Sequence, residues 1–177
     1  MTPADRPTIH ASAVRVGSHF GVLIRGPSGA GKSRLAFDLV LAGRAGQIPP
    51  TLLVGDDRIL VAREGDAVIA RPAPSLAGLI EIRGLGIRQC PFAPETPVGL
   101  IVDLDAPDAE RLPEPDALQG TVEGIILPRI PVGAGHTPLP LVLASLITTP
   151  GPVADGLRLH DCLKGFGNHI SPTIATG

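Results

Sequence analysis

The sequence GPSGAGKS at residues 26–33 decides the fold of this 177-residue chain. It matches the pattern G-x-x-x-x-G-K-[S/T] at every fixed position, and its members are Gly26, Pro27, Ser28, Gly29, Ala30, Gly31, Lys32 and Ser33. In this pattern the glycines let backbone N–H groups turn inward toward phosphate oxygens, and the following helix adds the partial positive charge of its N-terminus. We expect Lys32 to reach the β- and γ-phosphates of a nucleotide and the Ser33 hydroxyl to ligate Mg²⁺.

The flanking sequence supplies the context that a phosphate-binding loop needs. Residues 21–25, GVLIR, predict a buried strand, and residues 32–42 carry apolar side chains four apart, which is typical of a helix that stops near Gly43. A strand, a glycine-rich loop and a helix in this order distinguish a P-loop from a glycine-rich turn that binds nothing. We therefore predict an α/β domain of the P-loop NTPase type, in which helices flank a mixed β-sheet.

Short apolar segments elsewhere in the chain predict the remaining elements. The predicted strands are 13–16, 51–54, 59–62, 67–70, 79–83, 99–104 and 122–127, with 59–62 and 67–70 forming a hairpin. Residues 105–120 predict a polar loop or a short helix, and residues 139–147 a second helix. We assign residues 1–148 to one domain and residues 149–177, which lack periodicity, to a loosely held C-terminal tail.

The composition narrows the class of protein. Hydrophobic residues make up 44% of the chain but aromatic residues only 2%, so the core must consist of Val, Ile, Leu and Ala, as in a parallel sheet covered by helices. The net charge of −2 differs from that of nucleic-acid-binding domains, which carry an excess of basic residues. The two cysteines form no CxxC pair, and we recognise neither a signal peptide nor a membrane span. The sequence thus predicts a soluble, cytoplasmic protein.

Acidic residues that could hold a metal or accept a proton follow two of the predicted strands. A P-loop enzyme needs a carboxylate at the end of a second buried strand, and both the pair Asp56–Asp57 and the single Asp103 satisfy that pattern. Two adjacent carboxylates could divide metal binding and proton transfer, but Gly-Asp-Asp is also typical of a solvated turn. Glu81 interrupts an apolar strand, where it is either a site ligand or an outward-facing residue. The pattern alone leaves these alternatives open.

Three segments resemble the HPr serine kinase/phosphorylases of bacterial sugar-phosphotransferase regulation. The strand pair before the P-loop opens with a histidine, His10, and LVGDD at 53–57 is similar to the family's L-V-A-D-D. The segment IEIRGLGI at 80–87 is close to the signature E-[IL]-R-G-L-G-I. The similarity covers residues 8–147. It implies that residues 1–148 are a P-loop kinase catalytic domain, without the N-terminal domain of longer members.

The resemblance also implies a function and roles for individual residues. It implies an ATP- and Mg²⁺-dependent kinase that phosphorylates a serine of HPr or a related carrier protein and forms a homo-oligomer. His10 would lie near the transferred phosphate, and Asp57 would take the proton from the substrate serine with Asp56 in support. Glu81 would be a second magnesium ligand, and Arg111 would match a catalytic arginine.

The sequence departs from this family at two positions. Arg34 stands where the family often has Glu, and PVGAGH at 131–136 stands where it has P-V-x-P-G-R, a segment linked to removing phosphate from HPr. Because the basic residues of that segment are missing, we expect forward transfer from ATP and weak or absent phosphorolysis. Two alternatives stay open on the residues alone: a small-molecule P-loop kinase, and a nucleotide-binding regulatory module without transfer activity.

Overall fold

A mixed β-sheet is the framework of residues 8–149, the part of the chain that the computed structural model describes. The strands are β1 (Thr8–Ile9), β2 (Ala11–Val16), β3 (Phe20–Arg25), β4 (Thr51–Gly55), β5 (Ile59–Glu64), β6 (Ala67–Pro72), β7 (Leu79–Ile82), β8 (Gly86–Gln89), β9 (Thr96–Leu104), β10 (Gln119–Val122) and β11 (Ile125–Val132). The two α-helices are α1 (Lys32–Arg44) and α2 (Pro138–Ile147). Short 3₁₀ helices lie at Pro74–Leu76, before β7, and at Pro115–Leu118, in the polar loop after β9.

The strand order brings several strand ends to one edge of the sheet. Seven strands follow the order β1-β5-β6-β9-β3-β2-β4, and β11 joins β9 with β10 on its far side. Strands β3, β9 and β11 are parallel, whereas β2 runs antiparallel to both β3 and β4. The carboxyl ends of β3, β4, β9 and β11 and the start of β2 therefore share one edge. This arrangement confirms the predicted mixed sheet.

Two hydrophobic clusters cover the two faces of the sheet. Side chains alternate along β3, so Val22 and Ile24 belong to the cluster that contains α1 and α2, while Leu23 belongs to the other. No helix contributes to the second cluster among the described residues. Its side chains come from the strands, including β5 and β6, and from Ala93. Helix α1 ends at Arg44, one residue after Gly43. Gly43 packs closely against the start of β4, because a Cβ added to it would lie 2.6 Å from the backbone nitrogen of Thr51. Neither described helix is long and apolar enough to cross a bilayer.

The predicted elements are present, with one error and two omitted strands, β8 and the two-residue β1. Residues 122–127 are not one strand: β10 and β11 pair as an antiparallel hairpin around a turn at Glu123 and Gly124, both with positive φ. Strand β8 was not predicted because all four of its residues are exposed and show no alternation. It pairs with β7 in a separate two-stranded sheet. The predicted tail lies outside the described residues, apart from Thr149.

A charged network ties together the ends of the three parallel strands. Asp103 on β9 accepts two hydrogen bonds from Arg25 on β3, at 2.6 and 2.7 Å, and one from Nε of Arg129 on β11 at 2.5 Å. Arg129 also donates to the carboxylate of Asp108 and to the carbonyl of Ala117 in the polar loop. Burial alone would raise the pKa of Asp103, but the hydrogen bonds from the two arginines outweigh it and hold that pKa below its ordinary value.

We expect Asp103→Asn to lower the free energy of unfolding by about 1–3 kcal/mol at neutral pH, because two arginines lose a charged, largely buried partner. Since the pKa of Asp103 is depressed on folding, its contribution is present above the unfolded pKa of about 4 and is lost as the pH falls through the folded pKa. Urea denaturation at several pH values should show the two proteins converging in acid.

The matched control for this substitution is Asp105→Asn, because Asp105 is exposed and belongs to no hydrogen bond or ion pair recorded among residues 8–149. It should leave the urea midpoint unchanged. Equal stability of wild type and Asp103→Asn at pH 7 would contradict the role assigned to the network.

Candidate functional site

The loop between β3 and α1 has the backbone shape of a phosphate cradle. Gly26, Gly29 and Gly31 have φ values of 148°, 82° and 95°, in the region that side chains disfavour. A Cβ on Gly26 would also lie 2.9 Å from the Cβ of Leu104, so the adjacent strand requires glycine there. Within the described residues no side chain caps the start of α1, and its first turn holds no acidic residue. The positive end of this helix dipole therefore faces the loop, with no acidic residue of the first turn to offset it.

Lys32 lies inside this loop. Its ammonium group donates to the carbonyl oxygens of Gly26 and Pro27, each at 2.9 Å, and the residue is only 6% exposed. Burial lowers the pKa of Lys32, while the charges of Asp57 and then Asp56 act in the opposite direction. Two of the three N–H donors are thus used to fix the side chain. The third is the one that a phosphate oxygen would engage.

The carboxylate of Asp56, directly after β4, is the centre of the site. It is 4% exposed and accepts hydrogen bonds at Oδ1 from the hydroxyls of Ser12 (2.5 Å) and Ser33 (2.9 Å). The backbone N–H of Glu81 donates to Oδ2 at 3.2 Å. These donors come from β2, α1 and β7. A buried carboxylate persists only when its oxygens are satisfied, and three donors satisfy this one.

Asp57 is the exposed member of the aspartate pair. It has a φ of 65°, which is uncommon for a residue with a side chain, and its side chain is 63% exposed. His10, at the junction of β1 and β2, brings its Nε2 to 3.2 Å from Asp57 Oδ1. The backbone turn thus separates the two adjacent carboxylates. One is enclosed by donors beside the P-loop, and the other is open to an incoming group.

The donor set fits a magnesium ion held together with a nucleotide. Asp56 and Ser33 offer hard oxygen ligands side by side at the end of the loop. Residues 8–149 contain no group of three or more His, Cys, Asp or Glu side chains placed to hold a metal alone. Magnesium at phosphate sites normally takes only one or two carboxylates, with phosphates and water completing its shell. The residues present therefore suit Mg²⁺ bound with a nucleotide.

The side chains of the other two predicted site residues, Glu81 and Arg111, make no hydrogen bond to the P-loop or the aspartate pair within residues 8–149. The side chain of Glu81 is exposed, and only its backbone reaches Asp56. Arg111 is exposed in the polar loop and has no recorded hydrogen bond or ion pair among residues 8–149. Both assignments stay predictions.

The geometry bears on two features that the sequence left unexplained. Two arginines hold the carboxylate of Asp103, whereas that of Asp56 accepts a hydrogen bond from Ser33 of the P-loop, which favours the aspartate pair as the acidic strand end beside a metal. Arg34 is 83% exposed and lies 3.2 Å from Asp38 on its own helix, so its charge is directed along the surface of α1.

Ser12 is a site residue that the sequence analysis missed. It is fully buried, lies on β2 and donates to Asp56 across a separation of 44 residues. The sequence did contain a clue, since Ser12 is a polar residue in the otherwise apolar strand segment ASAV, just as Glu81 is a polar residue in an apolar strand. Its partner could not be read from the sequence, because the contact depends on β2 pairing with β4.

The fold and the loop geometry define a P-loop domain, and comparison with known proteins identifies its family. The family model of the HPr Serine kinase C-terminal domain matches residues 2–123. The chain belongs to this family.

Individual relatives agree with this assignment. The HPr kinase/phosphorylase of Mycoplasma mycoides subsp. mycoides SC is 34% identical over 131 residues, which are 66% of this chain and 40% of the relative. That of Limosilactobacillus reuteri is 35% identical over 141 residues, 73% of this chain and 41% of the relative. A solved structure of the Hpr(Ser) kinase/phosphatase from Coxiella burnetii is 28% identical with a TM-score of 0.62, covering 80% of this chain and 94% of that chain. The chain thus spans about two fifths of the length of these curated relatives.

Proposed function

We propose that this chain transfers the γ-phosphate of ATP to a serine hydroxyl of HPr or a related carrier protein. One observation carries the proposal: the P-loop and the aspartate pair lie at the same edge of the sheet. The Asp56 carboxylate is buried against Ser33, and the Asp57 carboxylate is exposed beside His10. The relatives named above are kinase/phosphorylases or a kinase/phosphatase, which supports a phosphoryl-transfer enzyme over a non-catalytic module. None of them is named as a small-molecule kinase.

In this proposal the P-loop holds the nucleotide. The backbone N–H groups of residues 26–31 and the start of α1 bind the phosphate oxygens, and Lys32 contacts the β- and γ-phosphates. Ser33 and Asp56 would hold Mg²⁺, with Glu81 as a further carboxylate, and the bound ion would neutralise charge on the phosphates. Ser12 keeps the Asp56 carboxylate turned toward Ser33.

Asp57 is proposed as the general base. A serine hydroxyl is a weak nucleophile, so a carboxylate near it must accept its proton as the bond to phosphorus forms. Asp57 is exposed and can meet an incoming serine, and His10, 3.2 Å away, orients its carboxylate near the transferred phosphate. We assign Arg111 to stabilising charge on the transferred group, which would require the polar loop to approach the nucleotide.

The cysteine content of the chain bears on its cellular setting. We assign catalysis to residues 1–148 and propose that the protein acts in the cytoplasm, since its two cysteines form no pairing motif in the sequence. We further propose that it assembles as a homo-oligomer, on the strength of the family resemblance.

The direct test is incubation with labelled ATP, Mg²⁺ and HPr, followed by gel separation. Wild type should label HPr on serine. Asp57→Asn should keep its ATP affinity but lose transfer by about 10²–10⁴-fold, the usual contribution of a general base. Asp66→Asn, a change of the same kind at an exposed turn, should behave as wild type. Transfer by Asp57→Asn at the wild-type rate would contradict the assigned base, and unlabelled HPr with wild type would contradict the function.

The charges around the site bear on the reverse reaction. In phosphorolysis an inorganic phosphate oxygen attacks the phosphorus of phosphoserine, and serine and pyrophosphate form. An incoming dianion beside bound phosphate requires nearby positive charge. The segment 131–136 offers only His136, and Arg129 before it is already held by Asp103 and Asp108. We therefore propose that this chain transfers phosphate forward but performs phosphorolysis weakly or not at all.

Phosphorolysis can be measured by giving the protein phosphoserine-HPr with excess inorganic phosphate and assaying pyrophosphate. We expect little release from a preparation that labels HPr readily in the forward direction, and that forward assay is the control for active protein. Pyrophosphate release at a rate comparable to forward transfer would refute the proposal and show that another cation serves the incoming phosphate.

A further inference from the structure

A cleft of about 260 Å³ opens beside the site, between the β1–β5 pair and the β10–β11 turn. Its apolar lining consists of Ile9, Val61 and Val122, and four polar residues complete it. Pockets for small molecules usually measure about 300–1,000 Å³. This cleft is smaller and open to solvent, so it suits one or two side chains of a protein segment better than an enclosed metabolite.

The cleft is continuous with the proposed catalytic groups. Two of its polar residues are His10, which lies 3.2 Å from the Asp57 carboxylate, and Arg25, which immediately precedes the P-loop. A segment that leaves the cleft past His10 would therefore come to the Asp57 carboxylate. That is the position which an acceptor hydroxyl must occupy if Asp57 takes its proton.

The charges in the cleft favour a particular kind of segment. Arg25 is bound to Asp103 and His10 to Asp57, so both bases already face a carboxylate. Glu123, in the β10–β11 turn at a φ of 49°, belongs to no hydrogen bond or ion pair recorded among residues 8–149. Arg63 approaches the same turn, but its guanidinium faces the carboxylate of Asp66 at 4.0 Å in its own hairpin. Glu123 therefore gives the cleft a negative charge that no ion pair among the described residues balances.

We propose that this cleft binds the residues flanking the acceptor serine, with an apolar side chain against Ile9, Val61 and Val122 and a cationic group near Glu123. The inference rests on the proposed serine kinase function and adds where, and by what chemistry, the acceptor is recognised. Recognition by neighbours of the serine would distinguish this protein from a kinase that accepts any exposed hydroxyl, since the base itself offers little selectivity.

The test fills the cleft without touching the P-loop. Thr121 is exposed and lines the cleft, so Thr121→Trp should block it, while Ile126→Trp alters the cross-strand partner of Thr121 outside the cleft. We expect Thr121→Trp to lower kcat/KM for HPr by about tenfold or more while the Kd for ATP is unchanged. The control Ile126→Trp should stay within about twofold of wild type. Glu123→Lys should raise the KM for HPr, most strongly at low salt.

The outcomes separate this inference from the function on which it rests. If wild type fails to label HPr, both fall together. If wild type labels HPr and Thr121→Trp does so equally well, the function stands and the cleft assignment is overturned. Equal losses in Thr121→Trp and Ile126→Trp, or a loss of ATP affinity in Thr121→Trp, would also overturn it, because the effect would then belong to the hairpin or the nucleotide site.

Discussion

The buried carboxylate of Asp56 joins three parts of the chain that are distant in sequence. Its oxygens accept hydrogen bonds from Ser12 on β2, Ser33 at the start of α1 and the backbone of Glu81 on β7. A carboxylate at 4% exposure would be costly without these donors, so the strand pairing, the helix start and the β7–β8 hairpin are mutually constrained. The P-loop is thereby fixed relative to the strand end that supplies the acidic groups.

The two charged centres at this sheet edge have different roles. At Asp56 and Asp57, a left-handed backbone turn places one carboxylate among donors and the other in solvent beside His10. At Asp103, two arginines enclose the carboxylate and connect the parallel strands to the polar loop. The first centre is suited to chemistry and the second to rigidity. Because the second one also holds Arg25 and Arg129, neither of these two cations is free to meet an incoming anion.

The local features of this chain could be predicted from sequence, whereas features that depend on distant pairing could not. The glycine pattern, the flanking strand and helix, and the Asp-Asp pair are each contained in a few consecutive residues, so they were recognisable. The contact from Ser12 to Asp56, the enclosure of Asp103 and the cleft near His10 arise only when separated strands pair. The segment 122–127 was misassigned because its apolar residues continue on both sides of a turn whose positive φ includes Glu123, a residue with no strong turn preference.

Calorimetric titration with ATP, in the presence and absence of Mg²⁺, tests the central claim that Asp56 and the P-loop together form one magnesium–nucleotide site. We predict that Mg²⁺ strengthens ATP binding by wild type and that Asp56→Asn loses most of this increase while keeping its Mg²⁺-free affinity, since residues 26–31 and Lys32 remain. The control Asp105→Asn should respond to Mg²⁺ as wild type does, and circular dichroism should show each variant folded. An undiminished Mg²⁺ effect in folded Asp56→Asn would contradict the account.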